Sequence, residues 1–248
     1  MKNNYAVLLL ILSLCLSVSL KAQRASDFRA AAEQGDASAQ YNLGVCFANG
    51  LGVAQDFQQA VNWVRKSAEQ GHVQAQYNLG RSYLLGQGII QNYEQAMIWI
   101  QKAAEQGLET AQHDLGIIYA NGLGVPQDYA KALPWFQKAA EQGDAQSQYA
   151  LGVSYYVGQG ITQDYKQAVL WLQKAAGQGY FAAQYNLGVF YDTIEKDGNT
   201  ALYWYEEALK NTDAGGTADP AKEDISSMKE RINHLKAEGY SSDRAKNI

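Results

Sequence analysis

The chain has three imidazoles, His72, His113 and His234, the side chains best placed to move a proton or hold a transition metal near neutral pH. None has a His or Cys three or four residues on, where two ligands would share a helix face, and no Cys-x-x-Cys is present. The Gly-Gln-Gly and Asn-Gly-Leu-Gly stretches lack the preceding strand and following Lys-Ser/Thr of a phosphate loop. No Gly-x-Ser-x-Gly offers a nucleophile. Glu105 and Glu141 recur at equivalent places and read as solvent-facing carboxylates at helix ends. Cys46 shares its place with Ser82, Ile118, Ser154 and Phe190, which marks a buried small side chain rather than a reactive thiol. No catalytic residue, cofactor site or metal ligand is assigned.

The chemistry that remains is recognition. Positions 38, 42, 45 and 49 fall within about 60° of one another around a helix axis, opposite Leu43 and Phe47. Projected along the chain they form rows. One is Asn42, Asn78, Asp114, Ala150, Asn186; a second is Val45, Arg81, Ile117, Val153, Val189. Asn49, Leu85, Asn121 and Val157 lie further along. Amides supply the donors and acceptors that match an extended peptide backbone, and an aliphatic row beside them excludes water. The candidate groove residues are Asn42, Val45, Asn49, Asn78, Arg81, Asp114, Ile117, Asn121, Val153 and Asn186. The other reading of the Asn row, hydrogen bonding within the repeat itself, stays open.

A repeat positions these residues. AQYNLG begins at Ala39, Ala75 and Ala183, with AQHDLG at Ala111 and SQYALG at Ser147, each 36 residues after the last. A fixed period of this size means stacked supersecondary units. Residues 36–71 serve as the template. Ala39, Leu43 and Phe47 fall on one face of a helix A, which stops at Asn49-Gly50, where glycine accepts the left-handed conformation. Asp56 reads as the N-cap of a helix B, and Gln59 completes a capping box; Asn92 with Gln95 and Asp164 with Gln167 repeat it, while Asp128 has only the simple cap. Phe57, Ala60, Val61, Val64 and Ala68 make helix B apolar on one side. Trp63, Trp99, Trp135 and Trp171 recur as packing residues, and Gly71, Gly107, Gly143 and Gly179 end the helices. Pro134 inside the third helix B predicts a kink rather than a break.

With 248 residues, 47% hydrophobic, the chain can bury a large core. Its net charge of −5 argues against a nucleic-acid partner. Lys2, an apolar run over residues 7–20 and Ala22 read as a secretory signal peptide, too short for a comfortable membrane span. Loss of Lys2 and Lys21 with it takes the charge from −5 to −7. Leu14 stands where lipidation of Cys15 would favour a small residue, so an acyl anchor is the lesser expectation. Near the end, Ile225, Met228, Ile232 and Leu235 form one apolar stripe; it suits a capping helix, with a partner-binding or coiled-coil helix as the alternative.

Three motifs together, A-x-A-Q-Y-N-L-G, Y-x-x-G-x-G-V-x-Q-D-Y and A-x-x-W-x-x-K-A-A-E-Q-G, resemble the Sel-one-like repeat (SLR), a relative of the tetratricopeptide repeat; residues 107–143 match nearly throughout. The resemblance covers about 36–210. It implies an all-α, right-handed α/α superhelical solenoid of about five helix-pair repeats with a concave face lined by A helices, and a C-terminal capping helix. The expected organisation is a signal peptide at 1–22, an N-terminal capping helix at 23–35, and repeats at 36–71, 72–107, 108–143, 144–179 and 180–210. A linker at 211–219, the capping helix at 220–238 and a mobile tail at 239–248 follow. The resemblance implies a non-catalytic scaffold or adaptor binding a protein or extended peptide; modulation of cell-envelope enzymes, or a role as a surface-exposed or secreted effector, is the alternative. No cofactor, no nucleic acid, no membrane span in the mature chain and a monomeric state are expected, with export to the periplasm, outer envelope or medium. The disulfide of cysteine-rich secreted relatives is not expected, because the cysteines are lacking.

Overall fold

The computed structural model describes residues 25–213 and 222–245. The expected signal peptide, Cys15, most of the linker, Pro220 and the last three residues lie outside them. All elements among the described residues are helices, and they fall into two compact bodies divided between Gln127 and Asp128. The first body holds α1 (residues 25–33), α2 (Ala37–Asn49), α3 (Phe57–Glu69), α4 (Val73–Leu85), α5 (Tyr93–Glu105) and α6 (Glu109–Asn121). In the second are α7 (Tyr129–Gln142), α8 (Ala145–Val157), α9 (Tyr165–Gly177), α10 (Phe181–Thr193), α11 (Gly198–Asp213) and α12 (Lys222–Ala237), then a 3-10 turn at Ser242–Arg244. This is an all-α repeat fold: α2 packs on α3, α4 on α5, α8 on α9 and α10 on α11.

Neither helix of a pair could bury its apolar stripe alone. Val61, Val64 and Ala68 of α3 meet Ala75 and Leu79 of α4 in one buried cluster, with Trp99 of α5 packed against it. Burying a leucine such as Leu79 contributes roughly 1.5–3 kcal/mol. Cys46 is buried beside Ala25, Ala32, Ala39 and Leu43, as a packing residue should be.

The A helices end on Gly50, Gly86, Gly122 and Gly158, all left-handed. The loop that follows is braced. Gln55, Gln91, Gln127 and Gln163 each donate a side-chain N–H to a carbonyl near the C-terminus of the preceding helix (Ala48, Leu84, Ala120, Tyr156), at 2.7–2.8 Å. Those carbonyls have no partner within their own helix. In the second, third and fourth loops a second glycine lies against the previous repeat: a Cβ on Gly124 would stand 2.6 Å from Cβ of Tyr93, one on Gly160 2.7 Å from Cβ of Tyr129, and one on Gly88 would strike the Phe57 carbonyl.

The B-helix caps differ from expectation in one respect. Asp56, Asn92, Asp128 and Asp164 each accept a first-turn N–H. The reciprocal half of the capping box is replaced, because the cap's own N–H donates across the loop: Asp56 to Phe47 O at 2.9 Å, Asn92 to Tyr83 O and Asp164 to Tyr155 O at 3.0 Å. Helix A therefore fills the role expected of the glutamine. Around Pro134, α7 stays helical to Gln142.

In the last repeat the shortened loop holds Lys196 at φ 56°, and Asp197 accepts from the N–H groups of Asn199 and Thr200 to start α11. Met228, Ile232 and Leu235 of α12 are buried against Phe181, Leu202, Tyr205 and Ala208. The tail expected to be mobile from Gly239 is instead anchored over its first residues. The Tyr240 ring lies where Gly198 has no side chain, and the Ser241 N–H donates to Asn199 Oδ1 at 2.9 Å.

Candidate functional site

Two recesses, one in each body, are lined in part by residues of the face predicted from the sequence. In the first, α2, α3 and α4 enclose about 260 Å³; Val45, Asn78 and Arg81 from the predicted set line it, with Val61 and Val64 of α3 among the apolar walls. In the second, α8, α9 and α10 enclose about 220 Å³, lined by Val153, Tyr156, Val157, Leu172, Asn186 and Val189. Val45 and Val153 are equivalent positions three repeats apart, as are Asn78 and Asn186. The recess is thus a property of the repeat, while its lining changes: Arg81 in the first is Val189 in the second.

The remaining predicted residues are more dispersed. Asn42 is half-buried on α2, outside both recesses. Asn49 is exposed and donates to the Val45 carbonyl of its own helix at 2.9 Å. Ile117 is half-buried on α6, and Asn121 is exposed at its end.

Part of the Asn row is engaged inside the protein. Asn78 Nδ2 donates to the Tyr41 hydroxyl at 3.4 Å, and Asn186 Nδ2 to that of Tyr149 at 3.4 Å. At the Asp114 place the direction reverses, and the Tyr77 hydroxyl donates to the carboxylate at 2.9 Å. Burial first, then the charge and hydrogen bond of Asp114, push the Tyr77 phenol above its ordinary range. Tyr149 is raised by burial, which the Asn186 bond only partly opposes. The Asn links are long, so each amide keeps hydrogen-bonding capacity for a ligand.

Two recurrent devices were invisible in single positions. The glutamine of the A-Q-Y-N-L-G motif is buried and structural: Gln40, Gln76, Gln112, Gln148 and Gln184 each donate to the carbonyl eight residues back, at 3.0–3.2 Å. In three repeats its oxygen also accepts from a glutamine thirty residues on, Gln70, Gln106 or Gln178. Each repeat tryptophan carries a lysine over its ring, Lys66 on Trp63, Lys102 on Trp99, Lys138 on Trp135 and Lys174 on Trp171, at 3.9–4.3 Å. The joint recurrence of W-x-x-K was the available signal.

Nothing in either recess pairs a nucleophile with a base. His72 caps α4, its Nδ1 accepting from the Ala75 N–H at 3.3 Å, and stacks on Tyr41. His234 does have a carboxylate one turn on, Glu238 at 3.3 Å. Among the described residues no three His, Cys, Asp or Glu side chains converge to hold a metal, and no helix is long and apolar enough to cross a membrane.

The family model described as Sel1 repeat matches residues 37–72, 73–108, 110–144, 145–180 and 181–213. Among solved structures, a protective antigen present in uropathogenic Escherichia coli strains, displaying an SLR fold, is 33% identical with a TM-score of 0.73. That match covers 85% of this chain and 48% of the other, so the chain spans about half the length of that relative. A Sel1 repeat protein from Oxalobacter formigenes is 32% identical with a TM-score of 0.66, over 80% of this chain and 86% of its own. No curated protein matches.

Proposed function

The chain belongs to the Sel1 repeat family, and from that premise we propose that it is a non-catalytic adaptor that binds a protein or extended peptide on the A-helix face of each body. Sel1 repeat proteins are generally protein-interaction scaffolds. The observation that carries the reading here is the recurrence of one recess at equivalent positions, Val45 with Asn78 and Val153 with Asn186. A pocket needed only for packing would be filled by the repeat's own side chains; these two stay open beside an amide. Residues 1–22 are proposed as the export leader, which places the adaptor in the cell envelope or outside it.

The test separates binding from folding. Wild-type mature chain on beads is to recover a partner from envelope fractions, identified by mass spectrometry. The double variant Asn42→Ala, Asn78→Ala should lose that partner with a melting temperature close to wild type, because Asn78 makes only a long bond to Tyr41. A large fall in melting temperature would assign the Asn row to structure instead.

A further inference from the structure

The loop joining α4 to α5 departs from its counterparts in the first, third and fourth repeats, each time toward an apolar, uncharged surface. Ile90 stands where they have Ala54, Pro126 and Thr162. Leu85 stands where the first and third have Asn49 and Asn121. The cap that follows is the neutral Asn92, against Asp56, Asp128 and Asp164, so residues 85–93 carry no charge. Ile90 is 88% exposed, Leu85 59% and Tyr93 40%. The loop is braced in this posture. Gln91 Nε2 donates to the Leu84 carbonyl at 2.8 Å and to the Tyr93 hydroxyl at 3.1 Å, and Gly88 rests on Phe57. Ile90 is therefore held out rather than folded back.

Cations flank the loop. On one side Arg65 lines an open recess with Gly88, Ile89 and Ile90. On the other Arg81 lines the first recess with Leu85 and Gln87. Both are departures too: Gln101, Gln137 and Gln173 share the place of Arg65, and the row of Arg81 is otherwise aliphatic. Each has a tyrosine ring nearby, Tyr83 at 5.7 Å and Tyr77 at 5.9 Å, and neither is in an ion pair among the described residues. Glu94, the carboxylate next in sequence, stands at the place of Gln58 one repeat on. Gln58 lines the recess beside this loop, so Glu94 belongs beside the third; its nitrogen lies 3.1 Å from where a Cβ on Gly124 would be.

We propose that this loop docks the first body on an anionic lipid surface. Leu85, Ile90 and Tyr93 enter the boundary between headgroups and acyl chains, and Arg65 and Arg81 meet lipid phosphates. Apolar side chains gain by leaving water there, a tyrosine sits well at headgroup level, and a guanidinium fork matches phosphate oxygens. An aspartate cap, as in the other three loops, would be repelled by the same surface; Asn92 is not. A stable protein contact, with a second copy or another chain, needs about 800 Å² from each partner, more than three side chains supply. A bilayer sets no such threshold, because each side chain partitions on its own. The attachment is independent of partner binding on the A-helix face.

Vesicle co-sedimentation of the mature chain tests this, with phosphatidylcholine alone and with an equimolar mixture of phosphatidylcholine and phosphatidylglycerol. The chain should bind the mixed vesicles, more weakly as salt rises, and bind the neutral ones poorly. Ile90→Ser should weaken binding at least about tenfold. Arg65→Gln and Arg81→Gln should each weaken it about fivefold, and their effects should multiply. Val157→Ser, at the place of Leu85 in the fourth loop, should change nothing. Because Ile90 is so exposed, Ile90→Ser should melt with wild type, which separates docking from folding. Absence of binding to the mixed vesicles, equal binding to both kinds, or a silent Ile90→Ser would each overturn the proposal. A lipid-free dimer by light scattering that Ile90→Ser abolishes would also overturn it, assigning the loop to contact between copies.

Discussion

Gly80 shows how little room the helix pairs leave. A Cβ there would stand 2.6 Å from Ile100 Cγ1 and 3.0 Å from the Ile100 nitrogen. Alanine gains up to about 1 kcal/mol in helix propensity over glycine, but overpacking costs about 1–3 kcal/mol. The clash wins because backbone as well as side chain is in the way. Gly80→Ala should therefore lower the melting temperature by a few degrees, about 2–4 °C for each net kcal/mol. Circular dichroism melts would read it, and an unchanged melting temperature would contradict it. The glycine itself was legible as a fixed point of the 36-residue repeat, closing AQYNLG at Ala75. Its partner was not, since Ile100 is twenty residues away and only the folded pair brings it near. The recess has the same history: the rows holding Val45, Asn78 and Arg81 follow from helical spacing, whereas the walls contributed by Val61 and Val64 come from another helix.

Helix ends were more legible than the bonds that tie helices together. Asp56, Asn92 and Asp164 announce their caps by residue type, and Gly50 and Gly86 their stops by position. The donation of each cap's N–H to the preceding helix could not be read locally, because it depends on the path of the loop. The attachment of α12 was equally hidden. Its apolar stripe was visible, but Arg231 also grips Asp192 of α10 through Nη2 at 2.6 Å and Nε at 2.7 Å, with Asp192 only 11% exposed. Arg231→Ala would leave that carboxylate with the Tyr205 hydroxyl of α11, 3.4 Å away. The expected cost is about 1–2 kcal/mol, reduced by the partial exposure of the arginine. Hydrogen exchange should show α12 amides opening faster while α2 to α6 stay unchanged; uniform acceleration would mean that α12 is not a separately released element.

Across the molecule, buried phenols tie stability to alkaline pH. Tyr77, Tyr149 and Tyr205 are all raised above the ordinary 10.0, burial being the largest cause in each; Asp114 adds to it for Tyr77 and Asp192 for Tyr205. A raised acid holds its proton longer folded than unfolded. The stabilisation is therefore complete below the unfolded value and is lost as pH climbs through the folded one. The melting temperature should fall steadily above about pH 10, and Tyr205→Phe should flatten that fall. A melting temperature constant from about pH 9 to about pH 11 would contradict it.

The loop glycines bear on how such a chain can change length. Gly88 lies on Phe57, Gly124 on Tyr93 and Gly160 on Tyr129, each an aromatic residue one period earlier than its neighbour's. Inserting or deleting a few residues would slide a glycine off its seat and drive a side chain into backbone. Excising residues 73–108 would instead bring Gly124 onto Phe57, restoring the same fit. Where the loop glycine is kept, growth or loss is thus quantised: a rung of 36 residues returns each glycine to an equivalent seat, and only the last repeat, which lacks that glycine, carries a shorter loop.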